Sequence, residues 1–227
     1  MNQQPVEKKV LSDGLRLDVH SIFYTIQGEG PLVGRPAVFV RLAGCNLNCQ
    51  MCDTEYTQGR KPMTRWRLIT AIGTLLPKPK GLVVITGGEP FRQNIVPLCN
   101  TLNRLGHTVQ IETNGTLPVF SSLDDAVIIV CSPKTPKIHR SVQARCRDYK
   151  YVIEAGNVDE KDGLPITVLG LGTHAVARPG PEDVVYITPL DTGDEKENKR
   201  HTQQAIKSCM AHGYTLNVQL HKVIGVP

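Results

Sequence analysis

Three thiols stand within eight residues, in the run Cys45-Asn46-Leu47-Asn48-Cys49-Gln50-Met51-Cys52-Asp53-Thr54. The C-x3-C-x2-C spacing lets one short loop wrap Cys45, Cys49 and Cys52 around a single face of a metal centre. Structural zinc is normally closed by four protein ligands, and an electron-transfer cluster usually takes four thiolates. No fourth cysteine or histidine lies nearby, so three ligands imply an open iron. An accidental zinc site and a ferredoxin-like cluster stay open as alternatives on these residues alone.

Those thiols need a frame, and the chain supplies aliphatic runs that each end in a polar motif. Ala37 to Leu42 (AVFVRL) carries Arg41 and delivers the chain straight to Cys45. Leu82 to Ile85 leads into Thr86-Gly87-Gly88-Glu89-Pro90, and His107 to Ile111 into Glu112-Thr113-Asn114-Gly115. Ala126 to Val130 is followed by Ser132-Pro133-Lys134, Tyr149 to Ile153 by Glu154, and Val184 to Ile187 by Thr188-Pro189-Leu190-Asp191. Near-continuous aliphatic strands alternating with helices predict a parallel sheet buried on both faces, and a barrel of β/α units builds its site from the loops at the carboxyl ends of the strands. Six such strands are too few for a closed eight. The expected fold is α/β, a partial, open (β/α)6-type barrel forming one domain over 1–227, with 155–183 as a loop-bearing insertion.

Ahead of this frame Leu15 to Tyr24 alternates as a strand, and Ile26-Gln27-Gly28-Glu29-Gly30-Pro31 breaks it with a loop whose backbone can approach a ligand closely. Helices are expected over Trp66 to Leu76, Phe91 to Leu105 and Asp194 to His212. In the last, Asp194 caps, Ala205, Ile206, Cys209 and Met210 face inward, and Gly213 ends the helix. A short strand is expected at Ile166 to Leu169 and a last one at Tyr214 to Leu220, after which the apolar tail Val223 to Pro227 packs inward.

No run approaches the roughly 20 apolar residues of a membrane span, and the polar start, with Glu7, Lys8 and Lys9, does not read as a secretory signal. Seven cysteines, four of them scattered (Cys99, Cys131, Cys146, Cys209), suit free thiols in a reducing, cytoplasmic setting. The net charge of +5 is modest. The basic run from Lys134 to Arg147 has no interleaved aromatics, so it reads as a solvated face and nucleic acid is not expected to bind directly.

The cysteine spacing resembles the signature of the radical S-adenosylmethionine (SAM) enzymes, whose three cysteines hold a 4Fe-4S cluster with its fourth iron chelated by SAM. Met51 departs from the usual aromatic residue there, yet it is apolar and polarizable enough to pack on an adenine. Gly87-Gly88-Glu89-Pro90 resembles the loop that receives the SAM amino group; alone, it is equally an ordinary strand-to-helix turn. With Gln27-Gly28-Glu29-Gly30, Arg41, Cys52-Asp53-Thr54, Thr86 and the terminal Pro227, the resemblance narrows to the 7-carboxy-7-deazaguanine synthases of queuosine and deazapurine formation. It is firm up to Lys134 and again from His221, and carries little over 138–183.

That resemblance implies a lyase converting 6-carboxy-5,6,7,8-tetrahydropterin to 7-carboxy-7-deazaguanine with loss of ammonia, started when a SAM-derived radical takes hydrogen from the carbon bearing the carboxylate. Ile26, Gln27, Gly28, Arg41, Thr86 and Pro227 map to substrate contacts, with Glu29 and His221 beside them. Met51, Cys52, Asp53, Gly88, Glu89, Ser132, Pro133, Lys134, Thr188, Pro189, Leu190 and Asp191 map to SAM, although Thr188 stands where glutamine is common. Thr54 maps to a Mg²⁺ ligand. An external electron donor such as flavodoxin and a homodimer complete the implied picture. Two other readings are a radical SAM activase that installs a glycyl radical on a partner protein, and a non-enzymatic iron-sulfur or zinc module.

Overall fold

The computed structural model describes residues 2–167 and 175–227. Nine strands form one sheet in the order β3-β1-β2-β4-β5-β6-β7-β8-β9. An antiparallel flap opens it: β1 (Arg16–Ile26) pairs with β2 (Pro36–Leu42) on one side and with β3 (Lys61–Thr64) on the other. From β2 onward every pairing is parallel, through β4 (Leu82–Gly87), β5 (Thr108–Thr113), β6 (Ile128–Cys131), β7 (Asp148–Ile153), β8 (Val184–Pro189) and β9 (Thr215–Leu216). The edge strands β3 and β9 do not pair, so the half barrel stays open as expected, with two-residue β9 as a seventh parallel strand.

Strand alternation sorts the residues onto two faces. Val38, Val40, Leu42, Val83, Ile85, Val109 and Ile111 pack in the main core with Leu68 and Ile72 of α1 (Arg65–Leu75) and Leu98 and Leu102 of α2 (Val96–Arg104). The opposite face starts apolar with Ala37, Leu82 and Val84. Toward the carboxyl ends it turns polar, with Arg41 beside Thr86 in register and Gln110 and Glu112 on the next strand, β5. One face therefore builds stability and the other, within the concavity, is free to carry chemistry.

Several elements differ from the sequence reading. The stretch Phe91–Leu105 is not one helix: Pro90–Arg92 is a single 3₁₀ turn capped by the Glu89 side chain, and α2 starts at Val96 because Pro97 is tolerated only in a first turn. In α4 (Glu195–His212) Asp194 does cap, accepting from the Glu197 N–H at 2.9 Å, and Gly213 ends the helix at φ 73°. Its buried face, however, is His201, Ala205, Ser208 and Cys209; Ile206 is 39% and Met210 83% exposed. The final strand stops at Leu216, Gln219 turns the chain at φ 42°, and α5 (Leu220–Val223) carries His221. Val223 and Ile224 are exposed, so the tail does not pack inward as a unit.

The basic run folds into α3 (Arg140–Arg145), capped by His139, and Arg145 binds the Leu123 and Asp124 carbonyls. The 155–183 stretch is tied by isolated bridges Val158–Pro165 and Thr167–Ala175 and by Arg178 to Asp162 at 2.7 Å. Of the short strand expected there, Val168 and Leu169 lie outside the described residues. No described helix is long and apolar enough to cross a membrane. Cys99, Cys131, Cys146 and Cys209 are all buried and free.

The ends of β2 and β4 approach so closely that a Cβ on Gly88 would stand 1.9 Å from the Gly44 carbonyl oxygen and 2.9 Å from the Cys45 nitrogen. Backbone cannot swing aside. Gly88→Ala should cost about 1–3 kcal/mol by overpacking, read by thermal melting of the cofactor-free protein. Gly73, inside α1 with nothing within 4 Å of its would-be Cβ, gives the opposite sign: Gly73→Ala should stabilise by about 0.5–1 kcal/mol.

Candidate active site

A cavity of about 330 Å³ opens at the carboxyl ends of the parallel strands, within the range of small-molecule sites. Cys45, Cys49, Cys52, Met51, Asp53 and Thr54 form one wall. Gly88, Ser132, Pro133, Lys134 and the stretch Thr188 to Asp191 also line it, as do Ile26, Gln27, Glu29, Arg41, Thr86, His221 and Pro227. Of the expected site residues, Gly28 and Glu89 do not line it.

Gly28 acts from behind. A Cβ there would meet the His221 ring at 1.9 Å, and the Gly28 carbonyl accepts from the Leu220 N–H at 3.0 Å. Glycine is therefore what lets α5 lie on the β1–β2 loop and present His221. Glu89 is wholly buried. One carboxylate oxygen accepts from the Phe91 N–H at 3.0 Å and the Thr113 hydroxyl at 2.8 Å, the other from the Asn114 N–H at 2.7 Å. Burial pushes its carboxyl up to about 7 against those donors. With three donors already on it and no place in the cavity lining, Glu89 joins the loops after β4 and β5.

The thiols suit a soft metal centre. Burial, opposed by a backbone hydrogen bond and aided by the charges of Glu89, Cys49 and Cys52, pushes Cys45 up to about 12. Burial raises Cys49 and Cys52 as well, with a Cys52 thiolate adding to the rise at Cys49 and the Asp53 charge to that at Cys52. Three unpaired thiols that repel one another as anions beside an open cavity are a donor set that a polynuclear cation relieves. In a cluster each sulfur binds a different iron, so the sulfurs need not meet at one point. Among the described residues no three His, Cys, Asp or Glu side chains converge as on a single ion.

The cavity's charges are set by neighbours. Lys134 is enclosed and its ammonium donates to the Ser132 hydroxyl at 2.6 Å; burial pushes its pKa down. Thr188 is buried, its hydroxyl accepting from the Asn217 amide at 2.8 Å. Asp191 accepts from Lys222 at 2.9 Å, which with the Gly193 N–H and Asn198 amide holds its carboxyl down at about 2. Thr54 donates to Asp53 at 3.3 Å. Arg41 lies over the Phe23 ring at 5.2 Å, and its Nε is buried without a partner. A guanidinium with an unmet buried donor on a cavity wall is an anion receptor.

The sequence reading missed Lys150. It enters from the middle of β7, is 8% exposed, and pairs with both Glu29 and Glu112, the latter at 3.2 Å. Glu112 also accepts from Gln27 and Gln110, each at 3.1 Å. Burial alone would push the Glu29 carboxyl up and the Lys150 ammonium down, but each holds the other ionised: Glu29 lies below its ordinary value and Lys150 above. The available signal was a lysine inside the otherwise aliphatic and aromatic run DYKYVI, where only a paired charge is tolerated.

The family model described as the Radical SAM superfamily matches residues 40–155. The 7-carboxy-7-deazaguanine synthase of Rhodospirillum rubrum is 40% identical over 221 residues, covering 94% of each chain. That of Rickettsia prowazekii is 38% identical over 97% of this chain and 93% of its own, and that of Burkholderia multivorans 35% over 92% and 98%. The crystal structure of QueE from Escherichia coli superposes with a TM-score of 0.68 over 91% of this chain and 95% of that one, at 24% identity, which is a likeness of fold.

Removing the cation should expose its work. In Lys150→Met burial, the largest influence on Glu29, acts beside Glu112 against only the smaller pulls of Gln219 and His221, so the Glu29 carboxyl rises above 4.5, the ordinary value. A carboxyl raised in the folded state contributes stability below that ordinary value and loses it as pH increases. The deficit of Lys150→Met should therefore grow between about pH 5 and 8, reaching about 3–5 kcal/mol. Paired melts across that window check it, and a deficit independent of pH contradicts it.

Proposed function

Since this chain belongs to the 7-carboxy-7-deazaguanine synthases of the radical SAM superfamily, we propose that it converts 6-carboxy-5,6,7,8-tetrahydropterin to 7-carboxy-7-deazaguanine with loss of ammonia, as a radical SAM lyase of queuosine formation. The observation that carries this is one cavity lined by the three-thiol loop, by the paired charges of Glu29, Lys150 and Glu112, and by Arg41, whose buried Nε has no partner. Cys45, Cys49 and Cys52 would hold the 4Fe-4S cluster, and Met51, Asp53, Gly88, Ser132, Pro133, Lys134 and the Thr188 to Asp191 loop would surround SAM. Bound together, cluster and SAM supply the one-electron, hydrogen-abstracting chemistry, which requires no side-chain acid or base.

The remaining work falls to the chain itself. Arg41 receives the substrate carboxylate, and its stacking on Phe23 fixes the guanidinium plane for a two-point contact. Glu29 and Glu112, both paired with Lys150, offer acceptors to ring N–H and amino groups, while Gln27, Thr86, His221 and Pro227 frame the ring. Pro227 is anchored by the Thr25 hydroxyl, which donates to its carbonyl at 2.6 Å. Tight walls exclude water from a reactive centre. Thr54, half-buried and weakly engaged, suits a Mg²⁺ ion that takes its other oxygens from water and substrate.

Buried pairs built to fit a small polar molecule do not suit the large docking surface that a glycyl-radical activase requires. An external donor of the flavodoxin kind would reduce the cluster. The exposed Leu216, Val218, Val223 and Ile224 beside the β9 edge support a homodimer. The four buried free thiols support a cytoplasmic setting.

Anaerobic incubation with the carboxy-tetrahydropterin, SAM and a reductant, followed by product mass, tests the reading. Turnover should vanish in Cys45→Ala, Cys49→Ala and Cys52→Ala and persist in Cys99→Ala and Cys209→Ala. Arg41→Lys should raise KM by about tenfold to a hundredfold, the loss of one or two hydrogen bonds to a charged group. Mg²⁺ should accelerate turnover, and Thr54→Ala should weaken that dependence with the cluster intact. SAM cleavage without consumption of the pterin would overturn the proposed substrate.

A further inference from the structure

The residues ahead of β1 belong to no strand or helix of the half barrel, yet they do not lie idle on its surface. Segment 2–7 runs across the outside of the cysteine loop. Its backbone pairs with the loop at Val6 and Cys45 in parallel, and the Glu7 N–H donates to the Cys45 carbonyl at 2.7 Å. The Asn2 side-chain amide donates to the Cys49 carbonyl at 3.1 Å, and the Asn2 N–H to the Gln50 carbonyl at 3.2 Å. Gln4 grips the loop's exit with both ends of its amide: Nε2 donates to the Thr54 carbonyl at 2.8 Å and Oε1 accepts from the Tyr56 N–H at 2.7 Å. The Gln4 N–H in turn donates to the Asn2 side chain at 3.0 Å, so the two grips are one unit.

We infer that Asn2 and Gln4 are positioning residues for the iron-sulfur cluster, members of a strap that fixes the three cysteines from outside the cavity. The argument rests on the cluster reading above. A loop of ten residues with three metal-bound thiolates has no helix or strand of its own to hold its carbonyls. Left free, those carbonyls would turn away from the anionic sulfurs toward water, and the loop would turn with them. The strap supplies donors to the carbonyls of Cys45, Cys49 and Thr54, and the last of these is also the nearest acceptor to the Cys52 thiol, at 3.6 Å. Each thiolate thus has a strapped carbonyl beside it. Reduction potential and lability of such clusters follow hydrogen bonding and solvent access around the sulfurs. The strap is anchored independently, by Glu7 to Arg60 at 2.5 Å and to the buried Arg92 at 3.3 Å, so its grip does not depend on the cluster being bound.

The test uses the whole protein, reconstituted anaerobically with iron and sulfide, in four variants: Asn2→Ala, Gln4→Ala, Gln4→Glu and Lys9→Ala. Gln4→Glu keeps the acceptor for Tyr56 and loses the donor to Thr54. Lys9 lies in the same stretch but packs over Phe120, away from the cysteines, and serves as control. Iron release to a chelator should be about fivefold faster in Gln4→Glu, which loses one hydrogen bond, and at least as fast in Asn2→Ala and Gln4→Ala, which lose two each. The paramagnetic resonance spectrum of the reduced cluster should shift, with melting of the cofactor-free protein little changed and Lys9→Ala like the parent. Release rates and spectra equal to the parent's in all three, or an equal effect from Lys9→Ala, overturn the strap. Failure of the unaltered protein to take up iron overturns the cofactor reading, and the strap with it.

Discussion

A carboxylate with no solvent contact holds this site together. Glu89 sits at 0% exposure between the loops that follow β4 and β5, and its oxygens collect donors from Phe91, Thr113 and Asn114. Its own N–H donates to Gly44 at 3.0 Å, one residue before the first cysteine. Asn114, positioned by that contact, reaches Asn46 at 3.0 Å and touches the Cys45 sulfur at 4.0 Å. Three loops that share no covalent proximity are thus fixed on one buried group. Leaving any of its three donors unpaired in that interior costs about 1–3 kcal/mol, so the loops cannot drift independently. The glycines before it have the same cause: Gly87 at φ 115° and Gly88 let β2 and β4 close to the distance at which the Gly44 contact forms.

The cavity solves a second problem, that of keeping several charges out of water next to a reactive centre. An isolated buried ion is costly, and a buried pair is tolerated when its geometry and remaining hydrogen bonds are complete. Glu29, Lys150 and Glu112 meet that condition, with Gln27 and Gln110 completing Glu112. Arg41 does not, since one of its buried donors is unmet. That contrast separates the groups that shape the pocket from the one that awaits a ligand. It also explains why the inner face of the sheet is apolar at the bottom, where Leu82 and Val84 lie, and polar only at the strand ends.

The sheet and the cysteine loop were legible in the sequence because long aliphatic runs and dense thiols are strong local signals. Elements that depend on a distant partner were not. β3 is Lys-Pro-Met-Thr, with a single half-buried apolar residue, and exists because β1 offers it an edge. The inward face of α4 was misjudged at Ile206 and Met210, since His201 and Ser208, polar by type, take the buried side; His201 accepts from the Ala155 N–H at 2.9 Å. Glu89 was legible as important, whereas its partners Phe91, Thr113 and Asn114 were not, because a motif fixes spacing and not the direction in which a side chain points. Lys150 was hidden by the opposite error: hydrophobic periodicity treats a lysine in a strand as exposed, and only the carboxylates of the β1 loop and of β5, 121 and 38 residues away, make its burial possible.

An open half barrel must still shut its substrate side, and here that is done without strand pairing. The loop after β1 and the end of the chain are stitched across the gap by polar contacts. Asn217 donates to Thr188 at 2.8 Å and accepts from the Gly30 N–H at 3.1 Å, joining the β8 loop to the β1 loop. Leu220 donates to Gly28, Thr25 to Pro227, and Lys222 to Asp191. Gln219, at φ 42°, takes a conformation that costs a non-glycine residue about 1 kcal/mol or more. The contacts around it over-determine the turn, and its effect is to aim His221 and Pro227 at the cavity. A wall of this kind opens one hydrogen bond at a time, whereas a strand-closed barrel opens only by breaking a ladder. The chemistry needs tight enclosure and the substrate needs entry, and a stitched wall satisfies both.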